Sequence, residues 1–251
     1  MALAVGALAV LSSGLVVAAA PDAPPGATRA LIITGANNHN WKETTPELEN
    51  DLEQSGYFAV DVCDDPEAPV LSDPKSLAGY QIVILNINRD KRWEPAREAN
   101  LLNYVRNGGG LVVFHAADNA FPGWEEFDRL VGGTWRTKGT SFPDRGTFHP
   151  AYGPFEVIII DHDHPITAGI GSSFSMRDEM YTNLRLQPNI HVLAQGVYRG
   201  KPQPLLFVST YGKGRMFQTA LGHDRNAMSN PRFKDTLIRG ARWAAGTLKA
   251  P

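Results

Sequence analysis

Three histidines and a glutamate stand out in this 251-residue chain, because imidazole and carboxylate together do acid/base work or hold a divalent ion near neutral pH. His39 follows the apolar run 31–34, His115 follows 111–114 and His223 follows 216–220, each where a short β-type run gives way to polar sequence. Asn86 and Asn88 follow a fourth run, 82–85, in the same way. If these runs are parallel strands, their carboxyl ends share one rim of a sheet, where open α/β folds bind small molecules. Separate segments then feed one pocket.

Each candidate has a chemistry and a competing structural role. His115 ends its strand abruptly, where wound α/β enzymes carry a nucleophile on a sharp elbow. Imidazole there serves as base, acid or ligand rather than as an acylated nucleophile, and the alternative is a ring bonded to the loop backbone. His223 precedes Asp224, a carboxylate close enough to orient a ring or to share the site; capping of the next turn is the alternative. His39 shares the polar loop 35–41 with Asn38 and Trp41, and amides beside an aromatic suit a sugar with apolar faces and hydroxyl edges. Asp178, Glu179 and Tyr181 form a compact group in which Glu179 is a candidate acid/base or ligand. Zinc or manganese would suit this donor set, although no two members have local His-x-x-x-His spacing.

Other features are read as structural. Residues 161–165, rich in Asp and His, look like a helix start with Asp163 as cap and Pro165 in the first turn. Lys213 and Arg215 fall in a solvated hairpin turn, and Cys63, the single cysteine, is read as buried filler. Residues 108–110 are not a phosphate loop, since no Lys and Ser/Thr pair follows and a strand comes next; no nucleotide cofactor is expected. The absence of a Gly-x-Ser-x-Gly elbow argues against an ordinary serine esterase.

Positioning these residues requires alternating strands and helices. Thr44 and Glu47 have capping-box spacing, Pro46 suits a first helical turn, Leu48 and Leu52 share a face, and Gly56 stops the helix. Strands are expected at 58–62, 82–85, 111–114 and 155–160, with a helix over 95–106. Residues 132–154, rich in Gly, Thr and Pro, read as a long surface or active-site excursion. The runs 204–210 and 216–220 flank a glycine turn and predict an antiparallel hairpin. A last helix follows, capped by Asn230, with Phe233, Leu237, Ile238, Ala241 and Ala245 on one face. The expected fold class is therefore α/β: a wound, mostly parallel sheet flanked by helices, with an antiparallel hairpin toward the C-terminus.

Hydrophobic residues make up 43% of the chain, enough for a substantial core, and 24 basic against 26 acidic residues leave a net charge of -2. That balance gives no footprint for nucleic acid, so the expected partner is a small sugar, with self-assembly into a homo-oligomer left open. Residues 1–20 are apolar or small and resemble a signal peptide without its basic start; cleaved export to the periplasm or medium is expected, with a membrane anchor as the alternative. Residues 1–28 are thus read as signal peptide and linker, and 29–251 as a single domain.

Several stretches together carry a family resemblance: Gly-Gly-Gly-Leu-Val-Val-Phe-His-Ala-Ala at 108–117, the segment 124–133, Asp-His-Pro-Ile-Thr at 163–167, Asp-Glu-Met-Tyr at 178–181, Tyr-Gly-Lys-Gly-Arg at 211–215 leading to Leu-Gly-His-Asp at 221–224, and the terminal 230–246. Their order and spacing resemble the trehalose-utilisation (ThuA-like) family over nearly all the chain after Ala30. The resemblance implies a class I glutamine amidotransferase-like, flavodoxin-like fold. His115 stands where an amidotransferase carries cysteine, so glutamine hydrolysis is not expected. It also implies carbohydrate catabolism through 3-keto sugars: cleavage of a 3-keto-disaccharide or related glycoside by acid/base, metal-assisted chemistry. In that reading His115, His223 and Glu179 are catalytic candidates, and His39, His115, His223 and Glu179 metal-ligand candidates. Asn38, His39, Trp41, Asn86, Asp118, Tyr181 and Asp224 are substrate-binding candidates. A conventional glycosidase would instead pair Glu179 with Asp118 or Asp224. The alternatives are a non-catalytic sugar-binding module on the same fold, and a metal-dependent hydrolase of another ester or amide.

Overall fold

Runs of branched and apolar residues become strands buried on both faces, and the segments between them become the helices that cover those faces. The computed structural model describes residues 26–136 and 146–248. The apolar leader expected at 1–20 and the middle of the 132–154 excursion lie outside the described residues. In chain order the elements begin with β1 (Thr28–Ile33), α1 (Trp41–Gln54), β2 (Phe58–Cys63), β3 (Ile82–Leu85), α2 (Pro95–Arg106), β4 (Gly110–Phe114) and α3 (Glu125–Val131). There follow β5 (Gly133–Thr134), β6 (Gly153–Ile159), β7 (Ser173–Asp178), β8 (Arg185–Leu186), β9 (His191–Tyr198), β10 (Lys201–Tyr211), β11 (Gly214–Thr219), α4 (Arg225–Met228) and α5 (Pro231–Ala244).

A nine-stranded sheet runs in the order β2-β1-β3-β4-β11-β10-β9-β6-β7, and β5 with β8 forms a small antiparallel pair. The first five strands are parallel: β1 pairs with β2 and β3, and β4 with β3 and β11. Every residue of β3 and β4 is buried, as expected for strands covered by helices on both sides. The predicted hairpin is β10–β11, in register from Leu206 opposite Thr219 to Tyr211 opposite Gly214. Antiparallel pairing then continues through β9, β6 and β7, and β7 alternates exposed and buried residues, the pattern of a strand wetted on one face. Helix α5 starts where predicted: the Asn230 side chain accepts the N–H groups of Arg232 and Phe233, and Phe233, Leu237 and Ala241 are buried beneath it.

Two local expectations are corrected. Helix α1 begins at Trp41, after Asn40, rather than at a Thr44 cap, so Pro46 lies inside it. The hydroxyls of Thr44 and Thr45 are engaged elsewhere, accepting from Asn86 Nδ2 at 3.2 and 3.0 Å. Residues 161–165 form turns instead of a helix start, and the cap is Asp161 rather than Asp163, accepting the N–H groups of Asp163 and His164 at 3.0 Å each. Cys63 is half-buried against the core, as filler would be. Among the described residues no helix is long and apolar enough to cross a membrane.

Candidate functional site

The carboxyl ends of β1, β3, β4 and β11 lie on one rim, and three loops leaving it deliver the histidines. After β4 the chain turns through His115 at φ 45°, a left-handed value uncommon outside glycine, into a single turn spanning His115–Asn119. This elbow swings the ring off the strand. Its Nδ1 lies 2.8 Å from the Ala220 carbonyl. A carbonyl only accepts, so Nδ1 carries the proton and Nε2 presents a lone pair to the rim. Burial pushes the imidazole down to about 4, which keeps it neutral near neutral pH.

The loop after β1 passes the end of β2 so closely that a Cβ on Gly35 would stand 2.2 Å from the Asp64 carbonyl oxygen, and φ there is +104°. Beyond it Asn37 Oδ1 accepts the His39 N–H, and His39 Nδ1 lies 3.0 Å from Asn38 Oδ1, which turns Nε2 inward. The loop after β11 needs Gly222, φ +110°, where a Cβ would strike the Phe114 ring at 2.6 Å. Asp178, at the end of β7, clamps this loop by accepting from Gly222 N at 2.7 Å and His223 N at 3.2 Å. The same carboxylate accepts from Glu179 N at 2.7 Å. Burial pushes the Asp178 carboxyl up to about 7 despite these three donors.

The rings and the carboxylate converge. Glu179 Oε2 lies 3.1 Å from His223 Nδ1, 3.4 Å from His39 Nε2 and 3.7 Å from His115 Nε2. The ring of His39 packs edge-on against the other two at centroid distances of 4.7 Å. Burial alone would raise Glu179, but the imidazoles of His115, His223 and His39 together outweigh it and hold the carboxyl well below the usual carboxylate range. His223 is raised, chiefly by that carboxylate.

The donor set fits a divalent ion. One ligand atom from each of His39, His115, Glu179 and His223 falls within 4.8 Å of the others. Ligands ~2.1 Å from a common tetrahedral centre lie roughly 3.4 Å apart, close to the separations around Glu179 Oε2. His223 Nδ1 is buried without a hydrogen-bond partner, its approach to Glu179 being poorly aligned, and an ion would use that orphaned atom. The set is three nitrogens and one oxygen, suited to zinc or manganese.

A cavity of about 440 Å³ opens over the cluster, walled by Asn38, Asn40, Asn119, Trp135, His149 and Tyr181. A second cavity of about 470 Å³ lies around Tyr80, Asn103 and Tyr104, and its lining holds no histidine or carboxylate. Of the residues singled out from sequence, Asn38, His39, Glu179, Tyr181 and His223 line the first cavity, and His115 lies in its floor cluster. Trp41, Asn86, Asn88, Asp118, Asp178 and Asp224 do not line it. Trp41 is the first residue of α1, with the Lys42 ammonium 5.6 Å from its ring centre. Asn86 is buried and pins α1 to the rim through Thr44 and Thr45. Asp118 is sealed in the core against Gln218 Nε2 at 3.1 Å, and burial pushes it well above its ordinary range. Asp224 caps α4, accepting from Ala227 N at 2.8 Å and the Tyr152 hydroxyl at 3.2 Å.

Sequence reasoning missed Trp135, His149 and Asn119 as wall residues and Asp178 as the clamp. Trp135 packs 4.7 Å from the Tyr181 ring and 5.7 Å from His149, whose Nε2 is 3.5 Å from Glu179 Oε1. The available signal was an aromatic and a histidine inside the 132–154 excursion.

A family profile described as trehalose utilisation matches residues 29–244. The chain belongs to the ThuA family. A ThuA-like protein of Parabacteroides merdae superposes with a TM-score of 0.79 at 32% identity, covering 90% of this chain and 92% of that one. A ThuA-like protein of Bacteroides uniformis gives 0.66 at 20% identity, with 86% and 91% covered. A β-galactosidase of Rahnella gives 0.58 at 16% identity over 90% of this chain but 32% of its own, a likeness of fold alone. Among curated proteins no sequence matches this ThuA chain.

Proposed function

We propose that this ThuA protein cleaves the glycosidic bond of a 3-keto-disaccharide at a divalent-metal centre held by His39, His115, His223 and Glu179. The observation that carries the reading is the pocket's single carboxylate. A conventional glycosidase needs two carboxyl groups across the bond. Here Asp118 is sealed in the core, Asp224 is spent as a helix cap, and Asp178 faces backbone N–H groups, so Glu179 stands alone among the described residues. Chemistry that needs no carboxylate pair fits better. A carbonyl at C3 acidifies the C2 hydrogen; removal of that proton forms C1=C2 and breaks the C1–O bond, the departing oxygen takes up a proton, and addition of water across C1=C2 completes net hydrolysis.

A divalent ion bound there would supply Lewis-acid stabilisation of the carbonyl oxygen as charge develops. The protein's own groups do the rest. His149 is the pocket imidazole outside the four-ligand cluster: its Nδ1 lies 2.8 Å from the Pro150 carbonyl, leaving Nε2 toward the cavity to accept the C2 proton. Trp135 offers a face to a pyranose ring, and Asn38, Asn40 and Asn119 offer amides to its hydroxyls. Export through the apolar leader belongs to the same proposal and is checked by N-terminal sequencing of the mature protein.

The test incubates the full chain, loaded with zinc or manganese, with 3-keto-trehalose and with trehalose in deuterium oxide. Only the keto sugar should be cleaved, with deuterium entering at C2 and the rate falling by roughly two to four orders of magnitude in His149→Ala. Equal cleavage of trehalose, or cleavage of the keto sugar without exchange at C2, would overturn the elimination route.

A further inference from the structure

Tyr181 is held more firmly than a wall residue needs to be. Its ring is 3% exposed and wedged between Trp135, 4.7 Å away, and His115, 4.5 Å away. Its hydroxyl lies 3.0 Å from His115 Nε2. Because Nδ1 of that ring donates to the Ala220 carbonyl, Nε2 has a lone pair and no proton, and Tyr181 is the donor in this bond.

That lone pair is also the one His115 would give to a metal. A nitrogen that ligates an ion accepts no hydrogen bond, so filling the cluster strips the buried phenol of its acceptor. A buried donor without a partner is costly. Three imidazoles already crowd Glu179 Oε2, and His149 stands beside Oε1. An oxygen of a molecule entering the cavity, whose lining includes Tyr181, would supply the acceptor that the phenol loses.

Building on the metal-centre reading, we infer that the Tyr181 hydroxyl donates a hydrogen bond to a carbonyl or enolate oxygen of the ligand lying over the cluster. It passes from His115 Nε2 to the ligand when the site is loaded. The ligand class is a compound with a carbonyl beside a hydroxyl-bearing carbon, whose oxygen becomes more negative as the reaction proceeds. Donors aimed at such an oxygen in a dry site stabilise the charged state more than the neutral one.

The experiment loads the full chain with cobalt(II), follows its visible absorption, and titrates acetohydroxamate, a small oxyanion with enolate-like paired oxygens. Wild type and Tyr181→Phe, which keeps the ring packing, are compared. Cobalt should bind both proteins within about threefold, whereas acetohydroxamate should bind the variant roughly tenfold more weakly, the effect of one hydrogen bond to a charged acceptor. Equal acetohydroxamate affinity in two cobalt-loaded proteins would overturn the role of Tyr181 and leave the metal centre standing. Loss of cobalt in the variant alone would also overturn it, by making Tyr181 a support for His115. Failure of wild type to bind cobalt would overturn the metal centre and this inference with it.

Discussion

The parallel and antiparallel halves of the sheet contribute to the site in different ways. The half built from β2, β1, β3, β4 and β11 supplies His39, His115 and His223 by a general rule: parallel strands end on one rim, and the loops leaving them meet. The half built from β10, β9, β6 and β7 supplies Glu179 through one specific connection. Strand β7 is four strands removed from β11 in the sheet, yet Asp178 at its end accepts the N–H groups of Gly222 and His223 in the β11 loop. That contact requires the antiparallel half to curl back over the rim. One half is a scaffold that presents nitrogen ligands, and the other is a flap that brings the carboxylate and is held at its end by a buried clamp.

The largest effect expected from this division is on ion binding. His115→Ala and Glu179→Ala remove one donor from each half, and each should weaken zinc binding by more than about a hundredfold, beyond what loss of an outer-shell partner costs. Zinc titration against a competing chelator measures it. If the glutamate variant binds zinc as tightly as wild type while the histidine variant does not, the flap carries no ligand and the centre belongs to the parallel half alone.

The same division explains what could be read from sequence. Strand ends were legible because buried parallel strands are short continuous apolar runs, and His115 follows such a run directly while His39 and His223 lie in the loops just after two others. Glu179 was legible only as part of the Asp-Glu-Met-Tyr group, since nothing local shows that the far edge of a sheet returns to its middle. Trp41 was misplaced because Thr44 looks like a cap, whereas its hydroxyl serves Asn86 across the rim. Asp118 and Asp224 sit beside site histidines in sequence, but one turn of chain directs Asp118 into the core and Asp224 onto the first turn of α4. His149 and Trp135 lie in a stretch without periodicity, where chemistry-bearing residues cannot be told from solvated ones by spacing.

A smaller effect is expected at the clamp. Asp178→Ala leaves the N–H groups of Gly222, His223 and Glu179 without their acceptor, and buried donors left unpaired cost about 1–3 kcal/mol each before relaxation. A net loss of about 3 kcal/mol in urea unfolding is expected, together with zinc affinity reduced by roughly 10–100-fold, since the clamp orients two ligands at once. Stability falling with zinc affinity unchanged would mean that the ion itself, rather than Asp178, seats the flap.

The smallest effect separates the clamp from the second tie between the halves. Asn230 caps α5 with its side-chain oxygen and donates from Nδ2 to the Ser175 carbonyl of β7 at 2.8 Å. Asn230→Ala removes both functions and should cost about 1 kcal/mol, the usual value of a cap. Asn230→Asp keeps the cap but turns the donor to β7 into an acceptor facing the Ser175 carbonyl, and should cost about as much as the alanine variant in the same urea series. Because Asp178 and not Ser175 fixes where Glu179 meets His223, zinc affinity should stay within about threefold of wild type in both variants, far from the 10–100-fold of a ligand-orienting contact. If Asn230→Asp weakened zinc tenfold at the stability of the alanine variant, the flap would be registered at its middle, through Ser175, and the clamp at its end would follow from that register instead of setting it.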